Sequence, residues 1–148
     1  MGNKRFPLFI DLTGRAAVVI GGGTVGLRRA NVLRRFGAEV TVISPQLAGP
    51  AEGVRHIPRS YRTGDLEGAF LAVAATDDPQ VNAAVGQEAR QAGLFFNRAD
   101  CPADCGFFFP AICEGEGLVA GVAGDGRRHR QTAQAARRIR QVLEEMDG

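Results

Sequence analysis

The sequence predicts an α/β fold, a Rossmann-like doubly wound parallel sheet with a small C-terminal α+β module. Short apolar segments alternate with amphipathic segments over the first two thirds of the chain, as expected when parallel strands alternate with helices. A G-x-G-x-x-G turn, Gly21 to Gly26, directly follows the first apolar segment. After Asn97 the alternation stops. We therefore predict two domains, residues 1–100 and 101–148.

Five short, β-branched or aromatic segments predict the strands of the first domain. They cover residues 16–20, 39–44, 55–61, 69–75 and 94–97. An apolar face predicts a helix over 27–36, which Gly37 terminates, and Asp65-Leu66 predicts a brief turn or helix. A second helix begins after Asp78, which is more typical of a helix cap than of a catalytic acid, and has Pro79 at its first position.

The segment from Phe107 onward predicts a β-hairpin and a terminal helix. The sequence FFFPAICE is followed by LVAGVAG, with a turn at residues 115–117, and the helix covers about 132–146. A module of about 40 residues buries too little apolar surface to be stable alone. We therefore expect it to pack against a second copy of the chain in a homodimer.

Composition narrows the classes of partner. The 148-residue chain has a net charge of +2, yet residues 127–140 hold six arginines and no acid. This patch predicts an anionic partner. Without Trp and with a single Tyr, it lacks the aromatic side chains that single-stranded nucleic acid stacks on, so we expect no nucleic acid.

The cysteine count and the apolar segments bear on location. Three cysteines without a signal peptide argue against disulfides, and the spacing of Cys101, Cys105 and Cys113 fits no common metal-ligand pattern. We predict free thiols and no metal, with metal binding as the alternative. No apolar run approaches the roughly 20 residues that span a membrane. We expect a cytoplasmic protein without membrane contact.

The glycine turn predicts a dinucleotide site, because it lies between a strand and a helix. Gly21 permits the tight turn, Gly23 lets the backbone approach a pyrophosphate, and Gly26 lets helix and strand pack closely. Free N–H groups at the helix N-terminus favour the anion. The predicted cofactor-binding residues of this turn are Gly21, Gly22, Gly23, Thr24, Val25 and Gly26. The alternative is a glycine-rich turn without a ligand.

Two neighbouring strand ends complete the predicted cofactor site. Ser44 stands where NAD-binding folds usually carry a ribose-binding acid. Serine would not repel a 2′-phosphate, but no arginine follows at once to bind one, so we favour NAD over NADP. Ala75 and Thr76 follow the fourth strand and are predicted to line the ribose and nicotinamide end.

Several segments together resemble the dehydrogenase module of siroheme synthase. They are FPLFIDLTGRAAVVIGGGTVGLRRA, GDLEGAFLAVAATDDPQVN and FNRADCPADCGFFFPA, and the AARRIR helix is also similar. The resemblance runs from about Phe6 to Gly121. It implies NAD-dependent oxidation of precorrin-2 to sirohydrochlorin by a homodimer, with the active site in a cleft formed with the C-terminal module. Some members also insert ferrous iron and others do not, so ferrochelatase activity stays open.

The resemblance also implies site residues. The acid of the family's N-x-x-D segment corresponds to Asp100. A carboxylate there can accept a proton or stabilise a cationic ring, or it can simply cap the turn before Pro102. Asn97 is predicted to touch the cofactor or orient the loop. Because the substrate carries eight carboxylates, four arginines are predicted to bind it: Arg98, Arg127, Arg128 and Arg130.

The sequence departs from the family's pattern at one loop, and two alternative functions stay open. The family's short serine-containing turn is replaced by AGDGRRHRQTAQ at 123–134. A nucleotide-sensing regulatory domain of potassium transport systems also carries the glycine turn and an A-T-D-D segment, but it usually keeps the acid that Ser44 replaces. A dehydrogenase of another small polyanion is the third hypothesis.

Overall fold

A computed structural model describes residues 3–147 of the chain. Contacts divide the chain into two compact units, here called the sheet unit and the hairpin unit. The sheet unit is Ile10–Phe107. The hairpin unit combines the described residues before Ile10 with those from Phe108 onward. The domain boundary at residue 100, predicted from the end of the strand–helix alternation, stays a prediction.

The sheet unit contains a five-stranded, fully parallel sheet with the strand order β3-β2-β1-β4-β5. The strands are β1 Ala16–Ile20, β2 Glu39–Ile43, β3 Arg55–Ile57, β4 Leu71–Ala74 and β5 Phe95–Arg98. This confirms the Rossmann-like fold class. The expectation for β3 was too long, since Pro58 directly follows Ile57 and a proline has no N–H to donate to a strand ladder.

Two helices follow β1 and β4. They are α1 Thr24–Arg35 and α2 Pro79–Gln91. Helix α1 begins three residues earlier than its apolar pattern predicts, because Gly23 is already its N-cap. The expected cap of α2 is confirmed, as Asp78 accepts a hydrogen bond from the Gln80 amide at 2.9 Å. Residues 65–66 lie in a turn rather than a helix.

The core of the sheet unit is built by the central strands and the inner helix faces. Val19, Ala72 and Val73 are fully buried on β1 and β4, as expected for strands covered on both sides. Glu88 of α2 accepts hydrogen bonds from the Tyr61 hydroxyl at 2.5 Å and from the Leu66 amide at 3.0 Å. These bonds hold the 61–66 loop against α2.

The hairpin unit contains an antiparallel pair, β6 Ala111–Gly115 and β7 Leu118–Val122, and the helix α3 His129–Asp147. The hairpin is confirmed, with Gly117 in its turn at φ +72°. Helix α3 begins three residues earlier than predicted, so it also includes Arg130 of the arginine-rich segment. Its buried hydrophobic residues are few: among the residues described, they are Cys113, Ala136 and Leu143.

Candidate functional site

The candidate site of the sheet unit lies at the carboxyl edge of its parallel strands. The strand order places the reversal of connection between β1 and β4, and open α/β sheets bind ligands outside the strand ends at such a switch point. The glycine turn leaves β1 there, and Ala75-Thr76 leaves β4. Two of the sequence-predicted segments are therefore neighbours at this switch point.

The glycine turn is shaped by close backbone approaches. A Cβ on Gly21 would lie 2.4 Å from the Ala75 carbonyl oxygen, and one on Gly26 would lie 2.2 Å from the Gly21 carbonyl oxygen. Gly21 has φ +117°, in the region that disfavours side chains. Both positions therefore require glycine for close packing. A Cβ on Gly23 would have nothing within 4 Å among the described atoms.

The N-terminus of α1 has free capacity for an anion. Leu27 makes the first helical hydrogen bond, from its amide to the Gly23 carbonyl at 2.9 Å. Within residues 3–147, no side chain caps the helix, and its first turn holds no acid. The amides of Thr24, Val25 and Gly26 precede that first bond, so they belong to the donors that a helix leaves unpaired at its start. With the helix dipole, they favour a phosphate-like group.

Ser44, at the end of β2, is 8% exposed, and its hydroxyl donates to the Gln46 carbonyl at 2.7 Å. This bond uses the Ser44 proton and leaves the oxygen as an acceptor. A Cβ on Gly22 would lie 2.8 Å from Ser44 Oγ and 2.3 Å from the Gln46 carbonyl oxygen. The Ser44–Gln46 segment therefore packs directly on the glycine turn.

Thr76 is held by Asn82, a fully buried residue of α2. The Thr76 hydroxyl donates to Asn82 Oδ1 at 2.7 Å, and the Thr76 amide donates to the same oxygen at 3.1 Å. Asn82 Nδ2 returns a bond to the Thr76 carbonyl at 3.1 Å. These three bonds fix the loop after β4, which is one wall of the candidate site.

Asn97, in β5, is 4% exposed and its polar atoms all have protein partners. Its side-chain nitrogen donates to the Phe107 carbonyl at 3.0 Å, and its oxygen accepts a hydrogen bond from Arg29 of α1. The Cys105 sulfur lies 3.7 Å from the same nitrogen. Of the two roles predicted for Asn97, this geometry favours orienting the loop.

Asp100, two residues beyond β5, forms a two-pronged ion pair with Arg98. Arg98 Nε lies 2.6 Å from Asp100 Oδ1, and Arg98 Nη2 lies 3.1 Å from Oδ2. The hydrogen bonds from Arg98 hold the pKa of the Asp100 carboxyl below its ordinary value, against the opposing effect of burial. Arg98 also contacts Asp104 at 3.1 Å. The predicted acid and one predicted substrate arginine are thus partners of each other.

The other predicted arginines belong to the hairpin unit. Arg127, Arg128 and Arg130 are exposed around the start of α3. Asp125 approaches two of them: it accepts from the Arg127 amide at 3.0 Å and lies 4.0 Å from Arg128 Nε. Further along α3, an open groove is lined by Gln134, Arg137, Arg138 and Gln141. The cationic character predicted for this segment is therefore at the surface.

The cysteines are free thiols. Burial raises the pKa of the Cys105 thiol, which makes it a weak nucleophile at neutral pH. Cys113 is buried, with its sulfur 3.4 Å from the Ala136 carbonyl. Within residues 3–147, no group of three potential ligand side chains is placed to hold a metal ion.

Comparison with known proteins identifies the family. The family described as "Putative NAD(P)-binding" matches residues 8–111, which include β1 to β5 and the whole glycine turn. The chain belongs to this NAD(P)-binding family. A turn without a ligand is thereby disfavoured, and the predicted dinucleotide site agrees with the family description.

Individual relatives confirm the resemblance to siroheme synthase. A siroheme synthase of Azotobacter vinelandii is 43% identical over 126 residues, 81% of this chain and 27% of the relative. A probable multifunctional siroheme biosynthesis protein of Ruminiclostridium josui is 37% identical over 150 residues, 97% of this chain and 29% of the relative. The chain thus spans less than a third of these relatives.

A solved structure supports the same assignment. The chain resembles SirC, a precorrin-2 dehydrogenase, with a TM-score of 0.76 and 26% identity over 91% of this chain and 69% of that one.

None of the helices within the described residues is long and apolar enough to cross a membrane.

Two residues of the candidate site escaped the sequence interpretation. Asn82 shares the buried face of α2 with Val85, Gly86 and Ala89. A polar amide on the apolar face of a predicted helix indicates a buried hydrogen bond, and this signal was present in the sequence. Arg29 lies on α1 but reaches Asn97 at the end of β5. Only the fold brings that pair together, so no local pattern indicated it.

Proposed function

We propose that this protein oxidises precorrin-2 to sirohydrochlorin with NAD in siroheme biosynthesis. The observation that carries the proposal is the acid-free, uncapped N-terminus of α1 at the same carboxyl edge of the sheet as Asp100, in a chain that resembles a precorrin-2 dehydrogenase. The regulatory-domain alternative is less favoured, because the relatives compared are siroheme enzymes. A cytoplasmic location is part of the proposal and rests on the sequence.

The chemistry requires two losses from the substrate. One ring carbon would give up a hydride with its electron pair, which bound NAD would accept, and a proton would leave to a base or to water. NAD supplies the acceptor for the hydride. The chain supplies the anion site of α1, the fixed loop at Thr76 and a carboxylate at Asp100, which either takes the proton or stabilises the positive charge that develops on the ring.

NAD is proposed over NADP because Ser44, Pro45 and Gln46 at the end of β2 include no guanidinium to pair with a 2′-phosphate. The Ser44 oxygen remains able to accept a bond from a ribose hydroxyl. Parallel assays with the two coenzymes test this preference. A rate with NADP equal to that with NAD would contradict it.

The cationic surface is proposed to bind the carboxylates of the tetrapyrrole through Arg127, Arg128 and Arg130. These side chains are exposed, and the guanidinium fork suits carboxylates. A homodimer is proposed because the hairpin unit leaves large apolar side chains at the surface. They include Phe6, Leu8, Phe9, Leu118, Val119, Val142 and Met146.

The decisive experiment is the precorrin-2 assay. The purified protein should reduce NAD when given precorrin-2, and Asp100→Asn should slow this at least tenfold, because the amide is neutral and cannot accept the proton. Asp77→Asn is the matched control: it removes an exposed carboxylate after β4 and should leave the rate within twofold. Absence of NAD reduction by the wild-type protein would reject the function, and equal rates for Asp100→Asn would remove that residue from the mechanism.

Iron insertion is a separate hypothesis within the proposed function. It would need the pyrrole N–H protons to be removed, and the same carboxylate is a candidate acceptor. Ferrous or cobalt ion mixed with sirohydrochlorin and the protein, followed by absorbance, tests it. A rate no higher than without protein would assign the chain to dehydrogenation alone.

A further inference from the structure

We infer that Arg98 is a positioning residue for Asp100 and does not bind a substrate carboxylate. The inference rests on the proposed function, because it assigns Asp100 to the reaction. It replaces the role that the sequence suggested for Arg98. It is carried by the geometry of one charged row at the carboxyl edge of β5.

The row consists of four side chains of alternating charge. Asp100 pairs with Arg98, Arg98 pairs with Asp104, and Asp104 pairs in turn with Arg90 of α2. Asp104 lies in a single 3-10 turn, Pro102–Asp104, that follows the strand. The row therefore links β5, this turn and α2, and it lies entirely within the sheet unit.

Arg98 is engaged on nearly every side. Besides the two bonds to Asp100 and the one to Asp104, its Nη2 donates to the Pro79 carbonyl at 3.2 Å. These four bonds use most of the five N–H groups that a guanidinium offers. The side chain is 13% exposed. A substrate carboxylate would have to displace protein acceptors that are already in place.

The pairing has two consequences for Asp100. Because both oxygens meet the planar fork, the carboxylate is held in one orientation. Because a positive charge lies beside it, the ionised form is favoured. Removing the fork would leave a carboxyl that ionises less readily and rotates more freely. Arg98 thus acts on the reaction through Asp100.

The first test compares Arg98→Met, Arg98→Lys and the wild type in the precorrin-2 assay across pH. We expect the acid limb of kcat to rise by at least one pH unit in Arg98→Met and kcat to fall at least tenfold, with KM within threefold. Arg98→Lys keeps the charge and should recover most of both. An acid limb that stays in place while KM rises tenfold would show that Arg98 binds substrate and overturn the inference.

Arg90→Met is the matched control. It removes one positive charge from the same row, but Arg90 contacts Asp104 rather than Asp100. The acid limb should stay within about 0.3 pH units of the wild type, which corresponds to about a twofold change in the ionisation constant. A shift equal to that of Arg98→Met would mean that net charge, and not the paired fork, sets the behaviour of Asp100, and would reject the positioning role.

A second measurement separates this inference from the proposed function. The Asp100 carboxyl carbon, labelled with 13C, is titrated by NMR in the substrate-free protein. Its pKa should rise by at least one unit in Arg98→Met and by less in Arg98→Lys. If the wild type fails to oxidise precorrin-2 while this shift occurs, the function is wrong and the pairing stands. If Arg98→Met does not fold, Arg98→Gln takes its place because it also removes the charge, and an Asp100 titration in that variant identical to the wild type rejects the inference.

Discussion

The sheet unit and the hairpin unit differ in how completely each buries its own apolar side chains. In the sheet unit, β1, β4 and helix α2 share a continuous core that includes Ile20, Leu66 and Val85. In the hairpin unit, the buried cluster within the described residues is small, while Val142 and Met146 of α3 remain exposed. The comparison indicates that one unit is self-sufficient and that the other needs a further surface to cover it.

Matched leucine truncations give the largest expected effect. Leu66→Ala removes a side chain that is 1% exposed, and Leu143→Ala one that is 7% exposed in the smaller cluster. Truncation of a buried leucine leaves a cavity, so we expect a loss of about 4 kcal/mol for Leu66 and about 2 kcal/mol for Leu143. Urea denaturation at one fixed protein concentration measures both. An equal or reversed order would show that the hairpin unit is as well packed as the sheet unit.

Gly23→Asp tests whether the sheet unit binds NAD at its glycine turn. A side chain fits at this position, since nothing lies within 4 Å of its Cβ among the described atoms, but the carboxylate would repel a pyrophosphate at the start of α1. We expect at least a hundredfold weaker NAD binding, about 2.7 kcal/mol, with the thermal midpoint nearly unchanged. Gly23→Ala is the control and should bind within a few-fold of the wild type. Calorimetric titration that gives equal affinities would place the cofactor elsewhere.

Val142→Asp tests whether the hairpin unit associates with a second copy of the chain through its exposed apolar side chains. Val142 is exposed on α3, and a charge there should weaken self-association about tenfold, about 1.4 kcal/mol, without altering NAD affinity. Glu145→Gln, also exposed on α3, serves as control. Sedimentation equilibrium over a range of concentrations measures the effect. A wild-type protein that is monomeric throughout the range would leave the exposed apolar side chains to another partner and refute the homodimer.

The sequence predicted the sheet unit well because local patterns determine it. Apolar strands, the glycine stop at residue 37 and the Asp78 cap each act over a few neighbouring residues, and the structure confirms them. The hairpin was predictable for the same reason. The length of β3 was not predictable in this way. The predicted segment continues through Pro58, but proline has no N–H to donate to the strand ladder.

The parts of the candidate site that the backbone forms were predictable from the sequence, and the contacts between side chains were not. The glycine turn and Ser44 follow from spacing alone. The Asn82–Thr76 bonds, the contact of Arg29 with Asn97 and the pairing of Arg98 with Asp100 join residues that the fold brings together. Arg98 looked like a free cation in the sequence, since nothing local shows that a 3-10 turn places Asp104 on its other side.

The packing of Gly22 against Ser44 and Gln46 has a consequence for protein engineering. Attempts to change coenzyme preference usually replace the residue at the end of the second strand. Here Ser44 Oγ lies so close to the turn that a Cβ on Gly22 would meet it at 2.8 Å, and a bulkier group at position 44 would press on the glycine turn. A redesign toward NADP in this protein would therefore start one or two residues further along, at Pro45 or Gln46, and leave serine in place.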